Sequence, residues 1–165
     1  MRLNQGKTMK KTFTLLLLFM LSFLPACAAG HSEVTSSEKG EATMKIQIEI
    51  TSESGNHTLS ATLAGNSSAT AFYELLKKGS LTVKMTDYGS FEKVGSLGTT
   101  LPRNDSQITT SAGDIILYQG NQITIYYDTN SWNFTRLGKV DGKSQAELKE
   151  ILGKGDVTAV FSVME

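Results

Sequence analysis

Residues 111–142, SAGDIILYQGNQITIYYDTNSWNFTRLGKVDG, contain the clearest strand pattern of this chain. Two short apolar runs, residues 114–118 and 123–127, are separated by Gln-Gly-Asn-Gln, which predicts a β-hairpin about a Gly-Asn turn. Residues 134–140 predict a further strand directly after it. This segment therefore indicates a domain built mainly from β-strands.

Other parts of the chain alternate apolar and polar residues in the same way. Residues 44–50 and 57–63 predict two strands joined by a turn, residues 81–88 a third, and residues 157–163 a last strand. Residues 89–111 have no such period, and we expect an irregular segment there.

Two short helices interrupt the strands. Asn66 can cap a helix that ends near Gly79, because a short side-chain oxygen accepts a hydrogen bond from a helix N–H group. Ser144 and Glu147 have the spacing of a capping box, and the helix that follows ends after Leu152. Six or more strands with two helices predict a mainly β barrel or sandwich with helices at its ends.

Composition excludes several kinds of site. The chain has 165 residues with 16 basic and 16 acidic side chains. Four of the basic residues and none of the acidic ones lie in the first 27 positions, so the remainder is net acidic, which argues against a nucleic-acid partner. One cysteine and two histidines exclude an internal disulfide, a thiolate metal site and a three-histidine zinc site, and a Ser-His-Asp triad could use only His57. We expect no cofactor and no metal.

The N-terminal residues have the features of a secretory signal. A lysine pair at residues 10–11 precedes an apolar run at residues 13–23. Met9, directly before the lysines, is the expected start of the signal. The apolar run is shorter than the roughly 20 residues that span a bilayer as a helix, so a permanent transmembrane anchor is not expected.

Residues 24–27, Leu-Pro-Ala-Cys, resemble the lipobox of bacterial lipoproteins. The resemblance implies that residues 1–26 are a signal peptide, that Cys27 is lipidated, and that the protein lies on the extracytoplasmic face of the cell membrane or outer membrane. Ordinary cleavage and secretion remain the alternative. Residues 27–42 are rich in Ser, Glu and Gly and predict a flexible tether, which leaves 43–165 as one folded domain.

Three motifs of this domain resemble the bacterial cyclophilin-like domains of unassigned function: FYELLKKG at residues 72–79, SAGDIILY at 111–118 and TRLGKVDG at 135–142. The resemblance covers residues 43–165. It implies a closed β-barrel of about eight strands with two short helices.

Prolyl isomerase activity is not an automatic consequence of that resemblance. Cyclophilins polarise the proline amide with an arginine on the third strand, whereas residues 81–88 contain none, and Lys84 lacks the forked donors of a guanidinium. The sequence therefore favours a non-catalytic, membrane-anchored module that binds a peptide or small ligand. A weak peptidyl-prolyl cis-trans isomerase that assists extracytoplasmic folding is the alternative. A purely structural envelope component is the third possibility.

The candidate ligand-binding residues are mostly aromatic. Trp132, Phe134 and Arg136 share one face of their strand if it begins by Trp132, and Tyr127 precedes them. Arg103 lies in the long polar loop, where it is either a binding residue or a solvated charge. In the alternative interpretation Phe134 belongs to the core and Arg136 pairs with an acid such as Asp114 or Asp128. Alternation places Tyr126 and Tyr127 on opposite faces, so they cannot line one pocket together.

Overall fold

A computed structural model describes residues 43–164. The predicted lipidation site Cys27, the predicted signal peptide 1–26 and the predicted tether 27–42 lie outside this part of the chain. Within it, no helix has both the length and the apolar character needed to cross a bilayer. The secondary structure consists of β1 (Lys45–Ser52), β2 (Gly55–Leu63), α1 (Ser67–Leu76), β3 (Leu81–Tyr88), β4 (Glu92–Ser96), β5 (Ser106–Thr109), β6 (Asp114–Tyr118), β7 (Gln122–Tyr126), β8 (Ser131–Val140), α2 (Gln145–Leu152) and β9 (Val157–Val163).

Eight of the strands form a closed antiparallel barrel. The order around it is β2-β1-β9-β3-β4-β7-β6-β8, and the pairing of β2 with β8 closes the ring. Strand β5 lies outside the ring and pairs with the first residues of β8. The predicted fold class, a mainly β closed barrel of about eight strands with two short helices, is confirmed.

The inward side chains of the strands form the main core. Along β1 the inward residues Ile46, Ile48 and Ile50 are buried, as a period of two requires. Helix α1 packs on the barrel through Phe72, whose ring meets that of Phe161 edge-on at 5.8 Å. The Asn66 side chain accepts a hydrogen bond from the Ala69 N–H at 2.9 Å, so the predicted cap of α1 is present.

Helix α2 begins as the capping box predicts. The Ser144 hydroxyl accepts from the Glu147 N–H, and the Glu147 carboxylate accepts from the Ser144 N–H. Buried Leu148, Ile151 and Leu152 then join the main core.

Two local expectations were wrong. The segment 89–111, expected to be irregular, contains β4 and β5. Strand β4 lacks an apolar period because both Glu92 and Lys93 are buried, one on each face, so pairing with β3 and β7 decides its conformation. The hairpin turn is centred on Gln119 and Gly120, both with positive φ, rather than on Gly-Asn.

Strand β8 contains a register shift. Ile115 of β6 pairs with Gly138, whereas Ile116 pairs with Arg136, so β8 has one residue more than β6 at this point. In a regular strand, residues three apart point to opposite faces. Because of the extra residue in β8, Leu137 and Val140 both belong to the main core. The residues of β8 before the shift keep simple alternation, which places Phe134 outside the barrel.

Candidate functional site

A cavity of about 280 Å³ opens on the outer wall of the barrel. Strands β3, β4, β6, β7 and β8 contribute outward side chains to it. The outward residues around it form a small apolar cluster, separate from the main core, in which Ile116, Tyr126 and Phe134 are buried. The lining consists of Tyr88, Glu92, Val94, Tyr118, Gln122, Tyr126, Asn130, Trp132 and Phe134.

Aromatic rings form most of the cavity wall. Phe134 is central: its ring centroid lies 5.8 Å from that of Tyr126 and 6.2 Å from that of Tyr118. Both pairs are inclined, with interplanar angles of 57° and 68°, so neither pair stacks flat. The Phe91 ring lies nearly parallel to that of Tyr126, with 6.1 Å between ring centroids, and meets Tyr88 edge-on at 5.8 Å.

Glu92 is the acidic group of the cavity. It lies opposite Tyr126 in the register of β4 and β7, and the residue is 7 % exposed. Its Oε2 atom is buried and has no hydrogen-bond partner in the described part of the chain. Burial raises the pKa of the Glu92 carboxyl, and the Tyr126 hydroxyl opposes this only in part.

The structure brings two of the candidate ligand-binding residues together at this cavity. Trp132 is 60 % exposed at the rim, and Phe134 is buried in the wall. Their position on one face of β8 agrees with the alternation of the strand. The tyrosine that lines the cavity is Tyr126 and not Tyr127, since the two lie on opposite faces of the sheet.

The other three candidates are not among the residues that line the cavity. Tyr127 belongs to the main core, and its hydroxyl donates to Asp87. Arg136 points outward like Phe134, but its guanidinium donates to the buried Asp114 carboxylate at 3.0 Å, which is one of the pairings considered above. Exposed Arg103 pairs with Asp105.

Seven of the nine lining residues were not among the candidates that the sequence indicated. Tyr88, Glu92 and Val94 come from the end of β3 and from β4, which lies in the segment expected to be irregular. The signal available there was the pair of aromatic residues, Tyr88 and Phe91, flanking a Gly-Ser turn. Tyr118 at the end of β6 carries no signal in the sequence beyond that of a strand residue.

The charges around the cavity are unevenly distributed. No lysine or arginine is among its nine lining residues. Lys93, next to Glu92 in sequence, points into the barrel, and Lys84 lies at a different surface depression beside Asp156. Residues 43–164 contain no group of three acidic, histidine or cysteine side chains arranged to hold a metal ion.

Comparison with known proteins identifies a family and a similar fold. A model of the cyclophilin-like family matches residues 52–162. No curated protein matches the sequence significantly. The solution structure of the hypothetical protein AF2241 from Archaeoglobus fulgidus aligns with 76 % of this chain and 99 % of its own, with a TM-score of 0.53 and 11 % identity. At that identity the likeness concerns the fold alone.

Proposed function

This chain belongs to the cyclophilin-like family, and we propose that it is a non-catalytic module that binds part of a peptide or small ligand in the outer-wall cavity. In this proposal a lipid on Cys27 anchors it to the membrane at the extracytoplasmic face. The observation that carries the binding role is the open aromatic cavity with Trp132 exposed at its rim.

The position of the exposed aromatic residues supports a binding role. Trp132 and Tyr88 are the two exposed aromatic side chains of the described residues, and both line this cavity. Large apolar groups left in water around a concave surface are typical of an interaction site. The cavity volume of about 280 Å³ is just below the ~300–1,000 Å³ usual for a whole small-molecule ligand. It therefore suits one side chain or one small chemical group.

The polar groups of the cavity favour binding over isomerisation. Rotation about an Xaa-Pro bond is accelerated when a donor polarises the amide, and a guanidinium does this with two parallel N–H groups. Here the ionisable acid of the cavity is Glu92, whose carboxylate form only accepts hydrogen bonds. Weak peptidyl-prolyl isomerase activity remains the alternative function.

Peptide binding is expected to change the fluorescence of Trp132, the single tryptophan of the chain. We expect residues 28–165, mixed with a small library of Xaa-Pro peptides, to give a saturable emission change and shifted peptide NMR resonances. Cis–trans exchange of the peptides should keep its uncatalysed time of tens of seconds. Tyr88→Ala should weaken binding at least fivefold because Tyr88 lines the cavity. Lys84→Ala, an exposed change on the same strand, is the control and should bind normally.

Two other results of this experiment would contradict the binding proposal. Clearly accelerated cis–trans exchange would make the protein an isomerase. No emission change and no resonance shift with any peptide would contradict the peptide form of the proposal, and the small-ligand form is then decided by the titrations with small cations described below.

Cys27→Ser is expected to release the protein from the membrane fraction, because serine lacks the thiol that carries the lipid. Fractionation followed by intact-mass measurement checks this: the native protein should carry acyl mass and the variant none. Ser22→Ala, a change inside the apolar run, is the control and should stay anchored. A Cys27→Ser protein that remains in the membrane with unchanged processing would contradict the lipoprotein proposal.

A further inference from the structure

We propose that the outer-wall cavity receives an organic ammonium group, held between the aromatic faces and the Glu92 carboxylate. This inference rests on the proposed function, since it names the chemical class of the ligand for the same cavity. The ammonium group can belong to a small molecule or to a lysine side chain, because both present the same chemistry.

The aromatic wall provides the first argument. Five of the nine lining residues are aromatic, and Trp132 and Tyr rings have the most electron-rich faces among them. Tyr118, Phe134 and Tyr126 contact one another and all three line the cavity, so a group bound there meets aromatic side chains. Aromatic faces in contact with a cation attract it electrostatically, and the attraction is stronger when water is excluded.

The carboxyl group of Glu92, one of the lining residues, provides the second argument. Glu92 is more than nine-tenths buried, and its Oε2 atom has no hydrogen-bond partner among the described residues. A buried charge is costly unless it is paired, so an ionised Glu92 needs a cation beside it. Glu92 lines the cavity, so an ammonium group bound there supplies a counter-charge beside it.

The surrounding charges provide the third argument. The nearest lysine in sequence, Lys93, donates to Asp87 at 2.9 Å and to the Gly155 carbonyl at 2.7 Å, so its ammonium is directed into the barrel. The amides of Gln122 and Asn130 are the other polar lining groups, and they carry no net charge. An anionic ligand would meet the Glu92 carboxylate with no cation of the lining to balance it.

The test compares a cation with an uncharged molecule of the same shape. Residues 28–165 are titrated with choline and with 3,3-dimethylbutanol, its carbon isostere, while the emission of Trp132 is followed. We expect choline to bind at least tenfold more tightly than the alcohol. Glu92→Gln, which keeps the side-chain shape, should weaken the binding of choline at least tenfold and leave the binding of the alcohol unchanged. Glu74→Gln removes one negative charge from the exposed side of helix α1 and should behave as the native protein.

A second pair of probes separates the two sources of the ammonium group. Gly-Lys-Gly is compared with Gly-norleucine-Gly, which lacks the charge. If choline binds tightly and Gly-Lys-Gly binds weakly, the ligand is a small-molecule cation. If the order of affinities is reversed, the ligand is a lysine side chain of a peptide. Either result supports the inference.

The remaining outcomes overturn the inference in distinguishable ways. If the charged and uncharged members of both pairs bind equally, the cavity binds ligands without selecting a cation, and the proposed function survives. If all four probes fail while Xaa-Pro peptides bind, the ammonium inference alone is wrong. If every probe fails, both proposals are wrong. The comparison of isosteres uses the native protein, so the test remains decisive even if Glu92→Gln does not fold.

Discussion

Replacing Asp87 with asparagine is expected to lower the free energy of unfolding by about 3 kcal/mol, because it leaves a buried lysine without its counter-ion. The Lys93 side chain is 0 % exposed, and its Nζ atom donates to Asp87 Oδ1 at 2.9 Å. The same ammonium donates to the Gly155 carbonyl at 2.7 Å and lies 5.6 Å from the centre of the Tyr127 ring. Asparagine keeps the shape of Asp87 but removes the charge and replaces one of the two acceptor oxygens with an NH2 donor.

The pH dependence of this effect follows from the pKa of Asp87. Burial opposes ionisation, but hydrogen bonds from Tyr127 and Lys93 outweigh it and hold the pKa of Asp87 below its ordinary 3.8. A carboxyl with a depressed folded-state pKa contributes stability that is fully present above its unfolded pKa and is lost as the pH falls through the folded value. The difference between native protein and Asp87→Asn should therefore be largest near neutral pH and shrink as the pH falls below about 4.

Urea unfolding at several pH values measures this difference. Lys93→Met in the Asp87→Asn background removes the unpaired ammonium, so we expect the double variant to be more stable than Asp87→Asn alone. Two results would contradict the role given to this ion pair. One is a double variant whose loss of unfolding free energy equals the sum of the losses of the two single variants. The other is an Asp87→Asn protein whose stability lies within about 0.5 kcal/mol of the native value.

Two neighbouring residues, Glu92 and Lys93, explain why the sequence predicts strand β1 and not strand β4. Strand β1 was predictable because Ile46, Ile48 and Ile50 lie on its buried face while its other face is more exposed. Strand β4 was not, because Lys93 is buried inside the barrel and Glu92 is buried in the outer cavity. A polar residue on each face removes the alternation of apolar and polar residues that predicts a strand. Only contacts with residues distant in sequence make the two positions suitable for burial.

Prediction of the candidate site was limited in the same way. Alternation along one strand correctly placed Trp132 and Phe134 on a common face, since that inference needs only local geometry. The same rule placed Arg136 with them, but its guanidinium is held by Asp114, a residue of the neighbouring strand. Glu92 faces Tyr126 only because β4 pairs with β7, and such a pairing between separate segments has no local signature.

Gly138→Ala is the second substitution with a large expected effect, about 3 kcal/mol of destabilisation, because it affects the closure of the barrel. Gly138 pairs with Leu63 of β2 on one side and with Ile115 of β6 on the other. A Cβ atom added there would lie 2.5 Å from the Thr62 carbonyl oxygen and 3.0 Å from the Leu63 Cα atom. Both are backbone atoms, so no side-chain rotation can relieve the contact.

The expected damage is local to one edge of β2. The β2–β8 pairing contains three residue pairs, and the Ala64 N–H donates to the Leu137 carbonyl at 2.8 Å just beyond them. Moving the two strands apart would weaken this seam, so amides of β2 near Leu63 should lose hydrogen-exchange protection before those of β1 and β9. Gly65→Ala is the matched control, because a Cβ atom there meets nothing within 4 Å. Equal stability of the two variants in urea would mean that β2 and β8 do not approach closely at Gly138, and the barrel would then not be closed at this seam.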